Sequence, residues 1–184
     1  MTTTALAKPS FNNKAVSGAG QFTPVALTPD QVQAWTTTRG RVIASAPAFS
    51  HILYTMMSVN TGKDLAIFTK DVPIAATDGV NLILNPETFF AMPLPERVFV
   101  VVHEILHCVF DHIGQAHNFK RRGKVAYPDG KQVDYIPELM NIATDLVIND
   151  LLIESKIVSF PKVGMHDHPQ GPRARRFPQA QRGR

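Results

Sequence analysis

Between Val98 and Gly114 the chain reads Val-Phe-Val-Val-Val-His-Glu-Ile-Leu-His-Cys-Val-Phe-Asp-His-Ile-Gly, and within it lies His103-Glu104-Ile105-Leu106-His107, an H-E-x-x-H pattern. Residues four apart on a helix stand one above the other, roughly 5–6 Å apart at Cβ, so the imidazoles of His103 and His107 can reach one metal ion. Glu104 projects about 100° round the helix from His103, too far to share its ligand direction but close enough to reach a water on the ion as a general base. The surrounding positions (Val98, Val100, Val101, Val102, Ile105, Leu106, Cys108, Val109, Phe110) are apolar nearly all round, which marks a buried helix. Three polar groups inside such a helix are costly unless they pair or bind an ion. The bland alternative is a pair of core histidines hydrogen-bonded to backbone.

A tetrahedral catalytic ion needs a third protein ligand and keeps its fourth position open. Asn141, Asp145 and Asn149 recur every four residues on a second helix, expected from Pro137 to Glu154, whose other positions include Ile142, Leu146, Val147, Ile148, Leu151 and Leu152. A polar stripe on an apolar helix wants a partner, and Asp145 is the preferred third ligand. Asn149 carries a neutral amide, better suited to hydrogen-bonding a ligand than to being one. His112 falls about 900° beyond His103, on the opposite face unless the helix breaks. His117 does not fit the spacing of a third histidine either. His166-Asp167-His168 is metal-friendly but sits in a Gly/Pro-rich stretch, Glu154 reads as solvated, and Asp111 as a surface or supporting carboxylate.

These residues need elements to position them. Thr28-Pro29-Asp30-Gln31 starts a helix running to about Ala46, with a Thr cap, Pro at the first position and Gln completing a capping box. Its expected buried positions are Val32, Trp35, Val42 and Ile43. The run His51-Ile52-Leu53-Tyr54-Thr55-Met56-Met57 reads as a strand or a short helix, with the strand preferred, followed by a strand at Leu65–Thr69. Ile74–Thr77 and Val80–Asn85 then form strands around the Asp78-Gly79 turn. The expected product is a small antiparallel sheet whose last strand runs beside the metal helix and offers an edge to an extended peptide. Asn85-Pro86-Glu87 caps a short helix closed by Pro93, and the motif helix runs from Pro95 to about Gln115, with Gly114 and Asn118–Gly123 marking its exit. Lys124–Pro137 is expected as a loop or loose hairpin crossing back over the site.

At 184 residues, 44% hydrophobic and 18% charged, the chain suffices for one domain with its own core. The expected division is an arm at 1–26, a domain at 27–163 and a flexible basic tail at 164–184. The lone cysteine, Cys108, excludes an intramolecular disulfide, and nothing argues for an oxidising compartment. No apolar run approaches the roughly 18 residues of a membrane span, and no signal-peptide core is seen, so a cytoplasmic setting is expected. The net charge of +4 depends on five arginines after Gly171, without which 14 basic groups face 15 acidic ones. A basic tail alone, with no recognised motif or aromatic platform, does not make a nucleic-acid-binding protein.

The succession Ala76-Thr77-Asp78-Gly79, Asn85-Pro86-Glu87, His103-Glu104-Ile105-Leu106-His107 with His112, and Ala143-Thr144-Asp145 followed by Ile148-Asn149 resembles the metallopeptidase domain that precedes von Willebrand A-like domains in bacterial and phage proteins. The resemblance covers roughly Val42 to Pro161. It implies a zincin-like α+β fold, one zinc, proteolysis, and a second helix close to the metal. Combined with the residues, it gives zinc held by His103, His107 and Asp145, Glu104 as catalytic base, and His112, Asn141, Asn149 and Asp78 as residues supporting the ligands or the substrate. Tyr127, Tyr135 and His112 are candidates for stabilising an oxyanion. The expected partner is a protein or peptide substrate, with a partner protein or a von Willebrand A-like domain beside it. The rival expectation is a catalytically silent, metal-stabilised interaction module.

Overall fold

The apolar run around the H-E-x-x-H pattern forms the helix that the rest of the domain surrounds. A computed structural model describes residues 22–55 and 65–156. In chain order its elements are α1 (Pro29–Ser45), α2 (Pro47–Thr55), β1 (Ile67–Phe68), β2 (Ala75–Thr77), β3 (Leu82–Leu84), α3 (Pro86–Ala91), α4 (Leu94–Val109), α5 (His112–Arg122), β4 (Lys124–Ala126), β5 (Gln132–Asp134) and α6 (Pro137–Ser155). The architecture is mixed α+β, mostly helical, with two small sheets. Helix α4 carries the motif and is contacted by α1, α2, α5, α6, β2 and β3, which is why it is apolar on every side.

Local signals set several of these elements. At the start of α1 the Gln31 N–H donates to Thr28 Oγ1 at 3.3 Å and the Thr28 N–H to Gln31 Oε1 at 3.0 Å, a complete capping box. The buried face of α1 is Trp35, Thr38 and Val42, whereas Val32 and Ile43, expected inside, are exposed. Thr38 can be buried because its hydroxyl donates to the Ala34 carbonyl at 2.8 Å. Trp35 meets Phe68 and Phe89 edge-on at centroid distances of 5.9 and 6.0 Å, tying α1 to β1 and α3.

The stretch from His51, expected as a strand, is helix α2 up to Thr55. Phe49, Ile52 and Leu53 pack on the core at helical spacing, and Pro47 supplies a preset first turn. Met56 and Met57 lie outside the described residues, as do the expected tail and His166-Asp167-His168. Of the expected arm, Phe22–Ala26 is described and runs against β1: the Val25 N–H donates to the Phe68 carbonyl at 2.8 Å, and Pro24 bridges Thr69.

The first sheet has the order β1-β3-β2, with β3 antiparallel to β2 but parallel to β1, so it is mixed rather than antiparallel. Its last strand, β3, is therefore central, with both edges paired, and cannot offer an edge to a peptide. Both β2 and β3 contact α4, and all three residues of β2 are buried. Between β2 and β3 the Asp78 carboxylate accepts the Val80 and Asn81 N–H groups at 2.9 and 2.7 Å and the Asn81 side-chain amide at 2.8 Å. Gly79 follows at φ +92°, a conformation that favours glycine.

The motif helix ends at Val109, earlier than expected, and the chain re-enters a helix at His112. Asp111 makes the break. It adopts a left-handed conformation (φ 51°), which aspartate tolerates better than most residues, and caps α5 by accepting the Gly114 N–H at 3.2 Å. Gly114 thus lies inside the first turn of α5, and Asn118–Arg122 belongs to the same helix. Lys124–Asp134 is a two-stranded hairpin against α5, its exposed ends tied by Lys124 Nζ to Asp134 Oδ1 at 2.7 Å.

Helix α6 buries Thr144, Ile148 and Leu152, while Leu139, Ile142, Leu146, Val147, Leu151 and Ile153 are exposed. Among the described residues no helix is long and apolar enough to cross a membrane.

Candidate metal centre

Helices α4 and α6 pack against each other, and where they meet three side chains converge. His103 and His107, one turn apart on α4, bring their Nε2 atoms to 3.1 Å of each other. From α6, Asp145 Oδ1 stands 3.1 Å from His107 Nε2 and 3.5 Å from His103 Nε2. A first-row divalent cation held tetrahedrally with bonds of roughly 2.0–2.1 Å sets its donor atoms about 3.3–3.4 Å apart, so this triangle has the right size for one. The donor set, two imidazoles and a carboxylate, also suits such a cation. Asp145 Oδ1 is buried and accepts no hydrogen bond, a state that an ion shared with the two nitrogens would relieve.

The electrostatics of the cluster favour a positive charge at its centre. Burial alone would push the His103 imidazole toward neutrality, but the contact with Asp145 and the charges of Glu104 and Asp145 outweigh it and leave its pKa raised. Burial likewise opposes ionisation of Asp145, and the two histidines overcome it, holding the carboxyl below the usual carboxylate range.

Glu104 is fully buried at 0% exposure, and neither carboxylate oxygen has a hydrogen-bond partner. Burial raises its pKa, against the pull of His103 and His107. A carboxylate so enclosed carries a desolvation cost of several kcal/mol when ionised, which a neighbouring cation offsets. Access to the cluster is from the α6 side, since the Asp145 side chain is 17% exposed while those of His103 and His107 are 4% and 2% exposed.

Two more residues touch the histidines. Asn149, one turn beyond Asp145, places Oδ1 3.1 Å from His103 Nδ1. His112 places Nδ1 3.1 Å from His107 Nδ1, a contact available because the chain breaks at Asp111 instead of continuing as one helix. Burial first, then the charge of His107, depresses the His112 pKa to about 4, so this ring is neutral near pH 7.

The remaining candidates stand elsewhere. Asn141 is half-buried one turn before Asp145, its carbonyl accepting from Thr144 Oγ1 at 2.9 Å. Asp78 has its carboxylate engaged in the β2–β3 turn. That turn leans on the end of α4, where Thr77 Oγ1 lies 3.2 Å from Cys108 Sγ, and on α5, where a Cβ at Gly79 would lie 3.6 Å from Ile113 Cβ. Tyr127 is exposed on the hairpin and Tyr135 packs its ring on Phe119; of the three oxyanion candidates, His112 is the one in contact with the histidines. Glu154 is exposed near the end of α6. What the sequence reading missed is the cap made by Asp111, whose signal was the Asp-x-x-Gly spacing to Gly114.

Among the described residues, His103, His107 and Asp145 are the group able to hold a metal ion. Comparison with curated proteins and with solved structures finds no match. A family model described as "Putative metallopeptidase domain" matches residues 31–171, well over half of the chain and spanning every residue of the cluster, and the chain belongs to that family.

Proposed function

We propose that the protein is a zinc-dependent peptidase of zincin type, with His103, His107 and Asp145 as zinc ligands and Glu104 as general base. The observation that carries this reading is the triangle of Nε2, Nε2 and Oδ1 atoms with edges of 3.1, 3.1 and 3.5 Å beside an intact, buried glutamate. A zinc ion supplies Lewis acidity there, acidifying water and polarising a peptide carbonyl. Glu104, raised in pKa by its burial, takes a proton from the attacking water and returns it to the leaving amine. The cation that Asp145 and the imidazoles would hold makes ionised Glu104 tolerable. The substrate is a protein or peptide approaching from the Asp145 side.

A second reading is favoured by the exposed apolar residues of α6, with Leu139, Ile142 and Leu146 on the helix that bears Asp145. In that reading the metal only braces α4 against α6 and the domain docks a partner protein. The intact Glu104 weighs against it, because a bracing site has no use for a base. The two readings separate in one experiment: unfolded casein is incubated with the zinc-loaded protein and with Glu104→Gln. The peptidase reading expects cleavage by the first and a loss of at least about 100-fold in the second, with zinc content unchanged. Equal rates in the two would remove Glu104 as the base.

A further inference from the structure

The two ligand histidines each turn one ring nitrogen toward Asp145 and the other toward a side chain that is not a carboxylate. His103 Nδ1 faces Asn149 Oδ1 and His107 Nδ1 faces His112 Nδ1, both at 3.1 Å. An imidazole that binds a cation through the Nε2 lone pair must carry its proton on Nδ1. The amide oxygen of Asn149 can only accept that proton. His112 Nδ1 must then accept from His107, which places the His112 proton on Nε2.

The geometry also sets His112 apart from the metal ligands. Its near nitrogen meets the back of the His107 ring rather than the donor triangle, so it is not a ligand. Its ring stands edge-on to His107 at 5.0 Å between centroids and lies against Phe110 at 5.5 Å, in a pose set by the left-handed break at Asp111.

Resting on the metal-centre reading above, we propose that His112 and Asn149 are positioning residues that lock His107 and His103 in the Nδ1–H tautomer, and that, neither being a carboxylate, they leave the cation a stronger Lewis acid. Many metal-bound histidines donate this proton to a carboxylate, which raises ligand basicity and feeds charge to the metal. Here the acceptors are an amide oxygen and an imidazole nitrogen rather than carboxylates, so the ligands donate less and the ion keeps more of its charge. The arrangement trades metal affinity for polarising power.

The test uses the full chain and zinc itself. Zinc affinity is measured by competition with a chromophoric chelator, and the tautomer of His107 by long-range ¹H–¹⁵N correlation in the zinc-loaded protein. Removing the acceptor in His112→Leu is expected to weaken zinc binding about 10–100-fold, the usual effect of losing such a partner. His112→Asn, whose carboxamide oxygen can replace the acceptor nitrogen, is expected to restore most of it. Asn149→Asp is expected to tighten zinc binding, and it stays informative if His112→Leu fails to fold. His112→Leu binding zinc within twofold of the parent with the His107 tautomer unchanged would overturn the proposal while leaving the ligand assignment intact, whereas a proton on Nε2 of His107 in the zinc-loaded protein would remove that nitrogen as a donor and the proposal with it. Absence of zinc binding by the parent chain would remove the ligand assignment and this proposal together.

Discussion

Asp145 Oδ1 and His107 Nε2 lie 3.1 Å apart across the contact between α6 and α4, bringing a carboxylate and an imidazole together although they are far apart in the chain. The histidine pair alone needs only one helix. The third donor needs two helices at the correct rotation, which makes Asp145 the most sensitive probe of the centre.

Asp145→Ala is expected to lower zinc affinity by more than about 100-fold, beyond the effect of losing a hydrogen-bond partner of a ligand. Metal content by mass spectrometry after dialysis against a fixed free-zinc buffer checks this. Near-parental occupancy would mean that the carboxylate is not a ligand.

A cation bound to the folded state alone must stabilise it. At a free zinc concentration about 100 times its dissociation constant the gain is about 2.7 kcal/mol, or roughly 5–10 °C in Tm for a chain of this size. Thermal melts with zinc and after chelation should differ by that amount in the parent and show little difference in Asp145→Ala.

Gly114→Ala tests the break between α4 and α5. Glycine to alanine within a helix ordinarily stabilises, but a Cβ here would collide with the Asp111 carboxylate that caps the turn. Loss of the cap is expected to cost about 1–2 kcal/mol, seen as a lower denaturation midpoint. A stabilised variant would show that the cap is dispensable.

Asp71 gives a pH dependence well away from the metal cluster. It accepts the Thr23 N–H and the Thr69 hydroxyl, both at 2.8 Å, and these bonds, the backbone one foremost, lower its pKa. A carboxyl whose folded pKa lies below its unfolded value of about 3.9 contributes stability above that value and loses it as pH falls through the folded one. Asp71→Asn should therefore be less stable than the parent at pH 7, with the gap narrowing toward pH 3 in denaturant titrations. A gap that stays constant with pH would assign the loss to packing instead.

Features written in local spacing were legible in the sequence. The Thr28–Gln31 box, the Asn85-Pro86 cap and the spacing of Asn141, Asp145 and Asn149 at every fourth residue each follow from one element's geometry, and the structure has those helices where the residues call for them. Helix α2 was misread because its apolar run is short, and β-branched residues weighed more than Pro47 and the Phe49, Ile52, Leu53 spacing. The parallel pairing of β1 with β3 was out of reach, because it depends on which strands meet in space. The inward side of α1 was legible in part: Trp35 and Val42 are buried as expected, but buried Thr38 displaced Val32 and Ile43. The break at Asp111 turns on a single residue in a left-handed conformation, and apolar periodicity carries no trace of that. Its effect on the site is large, since His112 reaches His107 only through it.

The seam between α4 and α6 also governs how fast the centre could be filled or emptied. Two donors sit on one side of it and one on the other, and all but Asp145 are nearly sealed from solvent. Ion exchange would then pass through the one opening beside Asp145, and its rate would follow how readily that side gives way rather than the strength of the bonds at equilibrium. Such a centre, loaded as the chain folds, would yield its ion to a chelator slowly even where the chelator binds more tightly.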